Sequence, residues 1–157
     1  MADDAFKVIS VNRQARHDYD ILETVEAGIA LTGSEIKSVR AGKVQLKDAY
    51  ARRMNGEMWL YGAHIAQYEA ATRNNHDPVR DRKLLLHRDQ ILDLAEAVEA
   101  HGLTIVPLRL YLKKGRAKVE LGLARGRHQY DKRAAIAKRE TEQKLREALS
   151  PRRRSLR

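Results

Sequence analysis

EAGIALTGSEIKSVRAG, residues 26–42, changes its structural period partway along. Gly28, Ala30 and Thr32 alternate with Ile29, Leu31 and Gly33, the two-residue period of a half-buried strand whose small residues admit another backbone or a ligand at close range. From Thr32 the period lengthens. Thr32 followed three residues later by Glu35 is a capping-box pattern, Ile36 and Val39 share one helical face, and Gly42 supplies a left-handed stop. A strand therefore runs directly into a short helix.

Upstream, Tyr19, Ile21 and Val25 are spaced by acidic residues as in a strand, which is expected to turn near Ala27 and Gly28 and form a first hairpin. Downstream, Asn55-Gly56 centres a second hairpin over residues 48–61, because both residues tolerate the positive φ of a type I′ turn. Residues 67–82 lose all periodicity and read as a long exposed loop, the kind of segment that tends to carry function. Ile91, Leu92, Leu94, Ala95 and Val98 recur at helical spacing before Gly102. Strands over residues 103–112 and 117–123 then flank a turn at Lys114-Gly115, a third hairpin. Three hairpins give six antiparallel strands with a short helix after the second and a longer one before the fifth. A closed barrel fits this count, and so does an open sheet with helices on one face.

The 157 residues, 43% hydrophobic, suit one core with extensions. Residues 1–11 are expected to form a loose arm, residues 12–130 the folded domain and residues 131–157 a tail. The chain has no Cys, which excludes disulfides and thiolate metal sites. It also shows neither a signal-peptide pattern nor an apolar run long enough to span a bilayer, so a soluble cytoplasmic protein is expected. The net charge of +10 is unevenly placed. Residues 1–108 hold 14 Lys and Arg against 16 Asp and Glu, whereas residues 109–157 hold 17 against 5. Such asymmetry points to a polyanion, with nucleic acid favoured over a membrane because the basic tail has few large apolar residues.

Arg80, Arg82 and Lys83 put three cations within four residues ahead of the helix. They read either as a solvated run or as phosphate contacts. Asn12, Arg16, His17 and Tyr19 can together hydrogen-bond, pair with phosphate and stack on a base, although Tyr19 is equally suited to a core. Glu26 alone reads as a solvated strand residue. Enzymatic readings lack support: the six His include no HxxxH pair, and neither a phosphate-binding GxxxxGK[ST] loop nor a GxSxG nucleophile frame is present. No metal or other cofactor is expected.

NRQARHDY (residues 12–19), EAGIALTGSEIKSVRAGK (26–43), RDRKLLL (80–86) and VPLRLYLKKGRAKVELGLARGRHQYDKR (106–133) together resemble the small protein B family, the SsrA-binding proteins that partner transfer-messenger RNA in ribosome rescue. The resemblance spans residues 12–133. It implies a mainly β fold with short helices, a small closed six-stranded antiparallel barrel of the oligonucleotide-binding type, followed by a basic tail that is helical or disordered. It implies RNA contacts at Asn12, Arg16, His17, Tyr19, Glu26, Lys37, Arg80, Arg82, Lys83, Leu85, His87 and Lys118, with His87 standing where the family commonly has Asn. It further implies that a tail containing Gly126, Arg127, His128, Asp131, Lys132 and Arg133 enters the empty messenger channel, with Arg127-His128 replacing the usual Lys-Lys. The implied partners are transfer-messenger RNA and the small ribosomal subunit, with elongation factor Tu and alanyl-tRNA synthetase acting on the same RNA. The alternative is another barrel-type protein that binds ribosomal RNA or assists ribosome assembly; a ribonuclease is a more remote one.

Overall fold

The computed structural model describes residues 6–68 and 75–126. The tail expected over residues 131–157, together with Arg127 and His128, lies outside the described residues. In chain order the elements are β1 (Phe6–Val11), α1 (Arg13–Asp18), β2 (Tyr19–Ile29), α2 (Gly33–Arg40), β3 (Val44–Gln45), β4 (Tyr50–Met54), β5 (Glu57–Tyr61), β6 (His64–Ile65), β7 (Arg82–Leu85), α3 (Arg88–His101), β8 (Thr104–Lys113) and β9 (Arg116–Gly126).

Six of these strands close into a ring, β8-β4-β5-β7-β2-β9 and back to β8, with every neighbouring pair antiparallel. Closure leaves the ring without an open edge. This is the mainly β barrel with short helices that the family resemblance implied, reached by a different route. β2 does not turn at Ala27-Gly28; it runs unbroken to Ile29, pairing with β9 along most of its length and with β7 at its end. The expected first hairpin is therefore absent. Gly28 is small for another reason: a Cβ there would lie 3.2 Å from the Cβ of Leu85 on β7. The sixth strand of the ring is β7, which begins at Arg82, the last residue of the segment that read as a loop, and continues to Leu85.

The other two hairpins form where expected. Asn55 and Gly56 (φ 53° and 80°) link β4 to β5, and Lys114 and Gly115 (φ 52° and 79°) link β8 to β9. Both turns place two consecutive residues at positive φ, which matches the twist of paired strands. The expected helices also form. Thr32 caps α2, its hydroxyl accepting from the Glu35 N–H at 3.3 Å while Glu35 Oε1 accepts from the Thr32 N–H at 2.8 Å. α3 ends at Gly102 in the left-handed conformation.

Residues 1–11 were expected to be a loose arm, but from Phe6 onward they form β1, which pairs with residues 109–113 of β8 beside the short β8–β4 contact at Ile105. Apolar contacts and one polar anchor hold it. The Phe6 ring lies 4.8 Å from that of Tyr111, Ile9 packs on the core, and Ser10 Oγ donates to the Val44 carbonyl at 3.1 Å.

Alternation sends Val25, Ala27 and Ile29 of β2, Met58 and Leu60 of β5, and Val119, Leu121 and Leu123 of β9 into one core. Ile91 and Leu94 of α3 join it. In β8, Ile105 and Leu110 both face inward despite an odd separation, because the register slips between Pro107 and Arg109. Leu108, two residues beyond Val106 and on the same outer face, packs in a second cluster with Ala15, Val106 and Ala124 before the bulge returns Leu110 to the core. α1 thus covers the outer face of β8 and β9. Gly122 lies beneath Leu108, where a Cβ would sit 2.9 Å from Leu108 Cδ1 and 3.2 Å from Ile21 Cγ2. Gly122→Val is expected to cost about 1–3 kcal/mol by overpacking, measurable as a lower urea midpoint with unchanged slope.

Candidate nucleic-acid interface

On a closed barrel, alternate residues of each strand must face outward, and this parity sorts the cations of residues 80–83. Arg82 and Leu84 of β7 face the core, whereas Lys83 and Leu85 face solvent. Arg82 has no exposed surface, which removes it from direct contact with RNA. Its Nε donates to Glu35 Oε2 at 2.8 Å, its Nη1 to the Ala63 carbonyl at 2.9 Å and its Nη2 to the Pro78 carbonyl at 3.1 Å. Arg80, partly exposed, donates to the same carboxylate at 2.7 Å and 3.0 Å. Glu35, itself fully buried, therefore joins α2 to β7 through two guanidiniums. Burial alone would raise its carboxyl, but the Arg80 hydrogen bond, the Thr32 N–H and the Arg82 charge outweigh that and hold it at about 2.

Asn12 is also structural. Buried at 5% exposure, it caps α1 by accepting from the Ala15 N–H at 3.2 Å, and its amide donates to the carbonyls of Leu46 (3.2 Å) and Pro107 (2.9 Å). Both its amide N–H groups and its carbonyl oxygen are engaged within the fold, where they position α1. Tyr19 packs on the outer cluster with Ala15. Arg16 and His17 remain exposed on α1, Arg16 lying 3.9 Å from Glu120 and His17 contacting Asp18 at 2.9 Å. Gly126 pairs with Tyr19, so β9 ends beside this helix. Lys37 sits 5.5 Å from the Tyr68 ring centroid.

The remaining residues converge. Glu26 of β2, Lys83 and Leu85 of β7, His87 ahead of α3 and Lys118 of β9 line one groove of about 650 Å³, with Glu57 on its rim. Three strands and a helix N-terminus supply them. Gly28 opens the floor by letting Leu85 rest against β2, and Leu85 stays 52% exposed although it is large and apolar. The His87 N–H donates to Gln90 Oε1 at 3.0 Å, which fixes the entry to α3. Lys83 Nζ lies 3.6 Å from Glu57, a rim ion pair worth little in water and readily exchanged for a phosphate.

Glu26 is held in place. Tyr111 donates its hydroxyl to Glu26 Oε2 and Lys113 Nζ lies 3.5 Å away; the Tyr111 hydrogen bond above all, then the Lys113 charge, keeps the carboxyl below its ordinary range. Burial and the Glu26 charge in turn push the Tyr111 hydroxyl well up. A carboxylate acceptor bordered by cations suits ribose hydroxyls and base amino groups, while Lys83 and Lys118 suit phosphate. Sequence reasoning missed Tyr111 and Glu35 as partners. Tyr111 lies on β8, two strands from Glu26, and only the ring topology makes them neighbours.

Among the described residues no three His, Asp or Glu side chains stand where they could hold a metal ion, and no helix is long and apolar enough to cross a membrane.

The family model for SmpB protein matches residues 9–151. The SsrA-binding protein of Roseiflexus castenholzii is 58% identical over 147 residues, covering 93% of each chain. That of Desulfitobacterium hafniense (strain DSM 10664 / DCB-2) is 54% identical over 145 residues, 92% of this chain and 93% of its own. A chain of the solved structure "tmRNA-SmpB: a journey to the center of the bacterial ribosome" superposes with a TM-score of 0.64 at 55% identity, covering 74% of this chain and 82% of that one.

Proposed function

Because the chain belongs to the SmpB family, we propose that it is an SsrA-binding protein whose barrel grips the tRNA-like part of transfer-messenger RNA and whose basic tail serves ribosome rescue. The observation that carries this reading is the groove in which Lys83, Lys118, Leu85 and His87 surround the oriented carboxylate of Glu26. Cations there set the position of the phosphate backbone, and Glu26 adds discrimination, because it rewards donors and repels a misplaced phosphate. Arg16 and His17 extend the contact along α1. Lys37 and Arg80 would act as flanking cations, Arg80 while remaining bound to Glu35.

In this reading the domain that binds RNA ends near residue 130, and residues 131–157, with Gly126, Arg127 and His128 leading into them, probe the empty messenger channel of the small ribosomal subunit in the cytoplasm. Elongation factor Tu and alanyl-tRNA synthetase would meet the protein only through the shared RNA. The protein contributes recognition and delivery and no bond-making chemistry of its own.

The test is the double variant Glu26→Ala/Lys83→Ala against a transcript of the tRNA-like domain. Hydrogen bonds involving charged groups are worth about 1.5–3 kcal/mol, so affinity should drop roughly ten- to a hundredfold with an unchanged circular dichroism spectrum. Wild-type binding should weaken steeply with added salt as condensed counterions are released. Unaltered affinity in the variant would move the interface away from this groove.

A further inference from the structure

The chain has one Trp, one Phe and six Tyr, and three of these aromatics occupy one patch of outer barrel surface that neither core cluster uses. On β5, Met58 and Leu60 are fully buried, so Glu57, Trp59 and Tyr61 face outward. On β4, Ala51 faces the core while Tyr50 and Arg52 face out, Tyr50 at 41% exposure. The register sets Trp59 opposite Arg52 on one side and opposite Lys83 of β7 on the other. Tyr61 sits opposite Tyr50, their rings stacked with centroids 5.4 Å apart and planes 25° from parallel.

Cross-strand aromatic pairs such as Tyr50–Tyr61 stabilise a hairpin by themselves. The Trp59 rung does not fit that account. Its neighbours are two cations, and the nearby carboxylate of Glu57 lies against Lys83 alone at 3.6 Å. A half-buried indole that shares its rung with an Arg on one strand and a Lys on the other, beside a pair of tyrosines, combines an aromatic surface with nearby positive charge. That combination matches an unpaired nucleotide, whose base stacks and whose flanking phosphates pair. Lys83 belongs both to this rung and to the groove around Glu26, so the two surfaces are continuous over adjacent strands about 4.8 Å apart.

We propose that Trp59, flanked by Arg52 and Lys83 and bordered by Tyr50 and Tyr61, is a stacking platform for an unpaired nucleotide of the RNA held in the groove. The platform rests on the proposed RNA-binding function and extends it around the barrel onto β4 and β5.

The test uses the full chain, whose only Trp makes its emission a reporter of this one position. A transcript of the tRNA-like domain should quench Trp59 emission, saturating at the concentration that saturates filter binding. A fully paired RNA duplex should bind without quenching. Trp59→Ala should weaken transcript binding about tenfold and Trp59→Phe should restore most of it, as expected for stacking. Arg52→Gln should reduce the slope of log affinity against log salt by about one. Unchanged emission in wild-type protein shown to bind by filter assay would overturn the platform and leave the groove reading standing; equal quenching by the duplex would overturn the stacking of an unpaired base. Failure of the wild-type protein to bind the transcript at all would overturn both.

Discussion

Glu35→Ala is expected to destabilise the fold by about 3–5 kcal/mol, a large part of the 5–15 kcal/mol that holds a typical domain together. The variant would strand Arg82 in the core with only carbonyl partners, remove the anchor of Arg80 and delete half of the α2 capping box. Breaking one side of a buried ion network is costly because the remaining charge stays desolvated. The same network predicts a pH dependence. The Glu35 carboxyl falls from an ordinary value of 4.5 to about 2 in the folded chain, so its contribution is complete above pH 4.5 and is lost as the pH drops through about 2. By linkage the amount is roughly 3 kcal/mol. Urea unfolding followed by circular dichroism at pH 7 and pH 3 checks both points. Glu35→Gln, which keeps the cap but not the charge, should flatten the acid limb. A loss under about 1 kcal/mol for Glu35→Ala at pH 7 would show that Arg82 finds compensation elsewhere.

Deleting residues 131–157 is expected to abolish rescue while sparing RNA recognition. The segment carries 10 Lys and Arg against 4 Asp and Glu, yet the groove residues and both apolar clusters all precede it. The truncated chain should therefore fold and bind the tRNA-like transcript specifically, with a modest loss from the nonspecific electrostatic term. Tagging of stalled ribosomes in a reconstituted translation assay should fall to background. Full tagging would make the tail dispensable, and lost RNA binding would mean that recognition and delivery are not divided at residue 130.

What could be read from the sequence was local. The Thr32–Glu35 box, the Asn55-Gly56 and Lys114-Gly115 turns and the Gly102 stop each concern residues a few positions apart, and each forms as read. Ala27-Gly28 misled because smallness there serves an approach by Leu85, a residue far along the chain, and not a turn. β1 was missed for a similar reason: its partner is the C-terminal half of β8, and nothing within residues 1–11 signals that pairing. Arg82 was read as one of three equivalent cations. Its two-residue spacing from Leu84 put both on one face of β7, and only the carboxylate of Glu35 on a distant helix makes an inward Arg tolerable. The cluster around Glu26, Lys83, Leu85, His87 and Lys118 came from family resemblance, and the ring explains it by bringing β2, β7 and β9 side by side.

The ring closes only where β9 joins β2, with Tyr19 against Gly126 and Gly28 against Lys118. During synthesis β2 is among the first strands to leave the ribosome and β9 the last of the ring. Until then β2 presents its β9-facing edge unpaired, and such late, non-local pairing makes folding slow and exposes the nascent chain to association with its neighbours. The groove between β2, β7 and β9 is completed only when Lys118 arrives on β9. A chain whose synthesis stopped before residue 116 would thus lack both the strand that closes the ring and one wall of the groove, so the assembled surface exists only once synthesis is nearly complete.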